Sequence, residues 1–167
     1  GSAVCRLIER KTDAYVWLSA PGVEDGTISH NRYTMRLQDS LPVRKPVRWI
    51  GRSRKELMAL PLQVRDRIGL ALWFAQAGAR HGSAKVLKGF GDASVVEVVV
   101  DDLGGTFRAV YTVRFDVAVF VLHVFQKKSK RGIETPKEVL RLIGQRLKTA
   151  AKIAQELQNA KAQDQDR

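Results

Sequence analysis

The groups in this chain best suited to chemistry are cations, and their spacing gathers them. Segment 127–152 holds Lys127, Lys128, Lys130, Arg131, Lys137, Arg141, Arg146, Lys148 and Lys152 against two acids, Glu134 and Glu138. A second basic cluster runs from Arg44 to Lys55. A solvated helix face normally mixes signs for local pairing; a single dominant sign suits a surface that tracks phosphates. Histidine adds a group that moves protons near neutrality. His30, His81 and His123 are widely spaced, with no carboxylate cluster beside them, so no metal site is expected. The lone Cys5 excludes an intramolecular disulfide and a cysteine-rich metal site. No cofactor is expected.

The whole chain repeats the bias. Its 167 residues carry a net charge of +12, with a pI near 10.3. Such an excess favours a polyanionic partner, nucleic acid before an acidic protein or an anionic membrane. The longest apolar run, VAVFVLHVF at 117–125, is too short to span a bilayer and carries a histidine. The start lacks a basic-then-apolar leader pattern, and Gly1-Ser2 reads as a tag remnant. The expectation is a cytoplasmic protein with no membrane partner.

Patterned elements must position these cations. Residues 1–43 mix Gly, Pro, Asp and Ser without a period, and read as an irregular extension with short strands at Tyr15–Leu18 and Tyr33–Leu37. The folded unit is expected over 44–157, with a disordered tail at 158–167. Val47–Ile50 reads as a short edge strand. Ser53 followed by Glu56 suggests a reciprocal helix cap. Pro61 suits the first turn of a second helix, whose stripe is Val64, Ile68, Ala71, Leu72 and Ala75, stopped near Gly78. Strands are expected at Val95–Asp101, Thr106–Phe115 and Val117–Phe125, with Asp102–Gly105 as the first turn. The last is apolar on both faces and so belongs inside the sheet. Thr135-Pro136 opens a final helix with Val139, Leu142, Ile143, Leu147, Ala150, Ala151 and Ile153 as its stripe. Helix, helix, three strands, helix argues an α+β fold.

Period-two alternation sorts the middle strand. Phe107, Ala109, Tyr111, Val113 and Phe115 share one face; Arg108, Val110, Thr112 and Arg114 share the other. Two roles are open to Arg108: its forked guanidinium can grip phosphate oxygens or bridge to Glu97. Lys127 and Lys128 either bind phosphate or mark a charged strand exit. Lys85 and Lys88 flank the turn before the sheet, on RNA backbone or in a solvated loop. His123 is a satisfied core histidine or a general acid or base. Tyr111, Trp49 and Trp73 fit packing.

The stretches AKVLKGFGDASVVEVVV, GTFRAVYTVRF and VFVLHVFQKKSKRGIETPKEVLRLIGQRLKTA carry a resemblance to the phage-derived branch of the RelE/HigB toxin superfamily. It covers roughly residues 45–152, and LHVFQKKSKRGIETP at 122–136 is its most specific part. The resemblance implies a RelE-like (microbial RNase-like) fold, an antiparallel sheet with two N-terminal helices and one C-terminal helix. It implies the toxin of a type II toxin–antitoxin system, a ribosome-dependent mRNA endoribonuclease. The implied partners are the ribosome, mRNA and a cognate helix-turn-helix antitoxin, through which alone operator DNA is met. A ParE-like branch poisons DNA gyrase instead, and a non-toxic binding relative is the third alternative.

The same resemblance implies site residues. Arg108 stands at the family's sheet arginine, here Phe107-Arg108, and the position of Lys127 and Lys128 in the family favours a phosphate role for them; His123, as the candidate acid or base, completes the candidate catalytic set. Lys85, Lys88, Lys130 and Arg131 are the candidate RNA-binding residues. Cleavage without a metal needs a base for the 2′-hydroxyl, cations for the phosphorane charge and an acid for the leaving oxygen. The chain departs from better-known members in two places. Glu97-Val98-Val99 replaces Glu-Leu-Arg, and the tail from Ala154 to Arg167 holds no Tyr or His.

Overall fold

An apolar strand with no polar face requires cover on both sides, and the computed structural model supplies it. The structure describes residues 4–9, 15–20, 44–92, 94–127 and 135–165. Among these residues seven strands form one sheet: β1 (Val4–Glu9), β2 (Tyr15–Ala20), β3 (Val47–Trp49), β4 (Ala84–Val86), β5 (Val95–Asp102), β6 (Gly105–Thr112) and β7 (Val119–Lys127). Their order is β1-β2-β3-β7-β6-β5-β4. Among the described residues only β3 and β7 pair in parallel. Helices α1 (Ser53–Met58) and α2 (Leu62–Gln76) follow β3, and α3 (Lys137–Gln165) follows β7. The expected α+β architecture, with two helices early and one at the end, is found.

Two cores divide the helices. On one face α1 and α2 contribute Leu57, Val64, Ile68, Ala71, Leu72 and Ala75, packed against Val98, Phe107, Ala109, Tyr111, Val121 and Val124. On the other, α3 contributes Ile143, Ala150 and Ala154 against Val95, Val110, Phe120 and Leu122. Strand β7 lies inside the sheet with helices on both sides, as its apolar pattern requires. Among the described residues no helix is long and apolar enough to cross a membrane.

Several expectations are corrected. The short strand expected at Tyr15–Leu18 within residues 1–43 forms over Tyr15–Ala20, while the strand at Val4–Glu9 that pairs with it was not expected, and β2 joins β3 through Tyr15↔Val47. Strand β3 is therefore interior rather than an edge, its open backbone row being satisfied by an added strand. The expected strand at Tyr33–Leu37 lies outside the described residues. The Ser53–Glu56 cap does not form: the Ser53 hydroxyl donates to the Val121 carbonyl instead. Phe115 lies beyond the end of β6 and packs edge-on against Phe120, in the α3 core. Ala151 is exposed, unlike the rest of its expected stripe. The tail expected from residue 158 is helical as far as Gln165, in a run of Gln, Ala and Lys that favours helix.

Candidate functional site

Between β6 and β7 the register slips. Val110 pairs with His123, but Tyr111 pairs with Val121, leaving Leu122 as an extra residue on β7. Strict alternation from Val121, which faces α1 and α2, would send His123 to that same layer. The bulge reverses this. Leu122 packs in the α3 core and His123 takes the α3 face with it, its ring stacked on Phe125 at 5.0 Å.

Strand β3 ends at Trp49, so β7 beyond Val121 has no strand partner on that side, and its backbone groups are satisfied by other means. Ile50 N–H and Ser53 Oγ donate to the Val121 carbonyl. The Val124 N–H donates to Glu56 Oε2 at 3.1 Å, and Arg146 Nη1 donates to the Leu122 carbonyl at 2.7 Å. Glu56 from α1 and Arg146 from α3 thus meet His123 at one point. Arg146 grips the carboxylate with both nitrogens, Nη2 to Oε1 at 3.0 Å and Nη1 to Oε2 at 3.2 Å. His123 Nδ1 lies 2.8 Å from Oε2.

This arrangement selects a tautomer. The two protons of Arg146 Nη1 have acceptors in the Leu122 carbonyl and Glu56 Oε2. Its 3.2 Å approach to His123 Nδ1 therefore needs no hydrogen bond. Nδ1 carries the proton and donates to the carboxylate, which leaves the Nε2 lone pair as the acceptor. Among the described residues Nε2 has no hydrogen-bond partner, and the side chain retains 13 % of its exposure. Burial alone would raise the Glu56 pKa, but hydrogen bonds from His123, Arg146 and the Val124 N–H outweigh it and lower the value to about 2. The carboxylate stays charged at any working pH and orients the imidazole.

Arg108 occupies the same face of the sheet. It sits opposite Phe125 and is thus a diagonal neighbour of His123, a relation that puts the two residues about 7–8 Å apart. Its Nη1 donates to Glu97 Oε1 at 2.8 Å and to Thr135 Oγ1 at 3.0 Å, and Thr135 Oγ1 donates to the same Glu97 oxygen at 3.0 Å. Both charged side chains are at least nine-tenths buried. The cross-strand bridge to Glu97 is the arrangement found; a phosphate would have to displace Glu97 and Thr135 to reach this guanidinium.

The other expected site residues scatter. Lys127 closes β7 opposite Thr106, and alternation puts it on the His123 and Phe125 face, half-buried. Lys128, Lys130 and Arg131 lie outside the described residues, as does His30. Lys85 is on edge strand β4 and Lys88 follows it, both exposed. That edge is three strands from β7, about 14 Å across the sheet, so these lysines do not join His123. Tyr111 is buried in the α2 core, and burial pushes its phenol up to about 12, which removes it from proton transfer near neutrality. Trp49 and Trp73 pack against the same core. Among the described residues no group of three or more His, Cys, Asp or Glu is assembled as a metal site.

Glu56 and Arg146 were not singled out from the sequence. In the sequence Glu56 reads as a helix cap, although it is a lone acid ending a basic cluster. Arg146 reads as one cation of the 127–152 cluster, although it falls between Ile143 and Ala150 on the apolar stripe of α3. An arginine on a buried stripe signals an inward-facing charge that needs a partner.

The family model for phage-derived protein Gp49-like (DUF891) matches residues 55–148. Among curated proteins, none matches the chain. The matched span is more than half of the chain and contains Glu56, Glu97, Arg108, His123 and Arg146, so this protein belongs to the phage-derived Gp49-like family, a toxin-like family of the RelE/HigB type.

Proposed function

We propose that this protein is the toxin of a type II toxin–antitoxin pair and acts as a metal-independent, ribosome-dependent mRNA endoribonuclease. The observation that carries the reading is the His123 imidazole, fixed at Nδ1 by Glu56 with Nε2 left as a base. In the proposed reaction Nε2 removes the 2′-hydroxyl proton, and the 2′-oxygen attacks phosphorus. The bond from phosphorus to the 5′-oxygen breaks, and a protonated lysine of the Lys127–Lys128 pair gives that oxygen its proton. The products are a 2′,3′-cyclic phosphate and a 5′-hydroxyl. The lysine pair also offsets the charge that develops on the phosphorane oxygens. Arg108 acts from beneath, tying the start of α3 to the sheet through Thr135. Lys85, Lys88, Lys130 and Arg131 contact RNA backbone. A cognate helix-turn-helix antitoxin is the proposed inhibitor, and operator DNA is reached only through it.

One observation favours a second reading. The buried pairing of Arg108 leaves this arginine committed to protein groups, as suits a non-cutting toxin of the gyrase-poisoning type. Inducing the protein in cells and mapping transcript ends separates the two. Cuts within translated codons support the nuclease. DNA damage with intact transcripts supports the second reading, and normal growth would favour a non-toxic relative.

A further inference from the structure

Helix α3 presents two unlike faces. Ile143, Ala150 and Ala154 are buried against the sheet, while Lys137, Arg141, Lys148 and Lys152 are all exposed. At 3.6 residues per turn these four cations fall within an arc of about 60°, opposite the buried stripe, along about 22 Å of axis. Lys137 and Arg141 are one turn apart, as are Lys148 and Lys152, and like charges at that spacing repel. Among the described residues none of the four forms an ion pair with a carboxylate. Glu138 and Glu156 lie to one side of the row rather than in it. The repulsion weakens the helix without any return inside the fold, and an external polyanion reverses its sign.

We propose that this row is a docking surface for the phosphate backbone of double-helical RNA. The choice of RNA over DNA rests on the ribosome-dependent reading above; the choice of a duplex over a single strand does not. Proteins that hold single strands stack bases on aromatic rings, and α3 contains no aromatic residue. A straight row of cations with nothing to stack on matches an A-form helix recognised through its phosphates and shape. The geometry also links docking to chemistry. Arg146 enters the His123 cluster from the inner side of the same helix, so docking the outer face orients the cluster without occupying it.

The test uses the full chain and an RNA duplex of about 16 base pairs, the span known for shape-reading modules, with affinity followed across a salt series. The variants are K137Q/R141Q, K148Q/K152Q and the quadruple combination, with glutamine chosen to keep helix propensity and circular dichroism checking that helix is retained. The quadruple variant is expected to bind at least about tenfold more weakly, with its log–log salt slope shallower by roughly three to four and each pair giving about half. Affinity and slope unchanged in the quadruple variant would overturn the proposal. So would tighter binding to single-stranded RNA or to a DNA duplex of equal length. Duplex binding is read here without any cutting step. Intact transcripts would therefore count against the nuclease reading and leave the duplex assay to be judged by its own outcome.

Discussion

His123 Nδ1 and Glu56 Oε2 lie 2.8 Å apart across 67 residues of sequence. Neither residue reaches the other by regular structure alone. The bulge at Leu122 turns the imidazole to the α3 face, and the short β3 strand leaves β7 open for α1 to approach. Arg146 closes the group from the opposite helix. The cluster is thus held by three elements, and each can be tested separately.

The Glu56 carboxylate gives a pH dependence with a defined sign. Its pKa falls from the ordinary 4.5 to about 2 on folding. A depressed folded value means stability that is complete above about 4.5 and is lost as pH falls towards 2. The side chain is 22 % exposed, and the contribution is about 3 kcal/mol. Thermal melts from neutral pH down to the acid limit should show this loss in the parent. Glu56→Gln should melt lower at neutral pH and lose less over the same window; an unchanged acid profile would contradict the assigned ion pair.

His123→Gln should separate chemistry from folding. The amide can still donate to Glu56, so stability should stay within about 1 kcal/mol of the parent. Removing a general base should slow cleavage by roughly 10²–10⁴-fold. Melting and growth arrest measured on the same variant check the two halves. A stable but fully toxic variant would remove His123 from the mechanism.

Arg108 and Glu97 form a buried pair, and burial makes single and double changes differ in kind. Arg108→Met strands the Glu97 charge and should cost about 3–5 kcal/mol. Adding Glu97→Met should recover most of that loss, because apolar replacements of buried pairs are near neutral. Denaturant titration reads the stability, and toxicity of the double variant reads the role. A stable double variant that still arrests growth as the parent does removes Arg108 from the mechanism; a stable but harmless one shows that the reaction needs its guanidinium, through Thr135 or on phosphate.

Gly51 has φ +58°, and a Cβ there would meet Arg146 Nε at 3.2 Å. Gly51→Ala should cost about 1–2 kcal/mol in backbone strain and displace the guanidinium. In an Arg146→Ala background the steric part should vanish, so a double-mutant cycle should show coupling. Purely additive effects would mean that the turn does not position Arg146.

Period carried much of this fold into view. The alternation at Phe107, Ala109 and Tyr111 and the spacing of Val64, Ile68, Ala71, Leu72 and Ala75 identified the elements and their buried faces. Single-residue events did not show. A one-residue bulge leaves no mark on an apolar strand, so the face of His123 was unreadable. Glu56 fitted a local cap equally well, and only the distant approach of β7 and α3 decided its partner. The parallel β3–β7 pairing and the three-residue β4 are long-range or short features with little local signal. The alternatives for Arg108 were both legible, and packing of Thr135 decided which contact forms.

The most direct measurement is cleavage of a defined mRNA on purified ribosomes by the parent protein and by His123→Gln. The account predicts cutting at the codon in the A site, with 5′-hydroxyl product ends, slowed roughly 10²–10⁴-fold by the substitution. An intact message under the parent protein, or equal cutting by the variant, would contradict it.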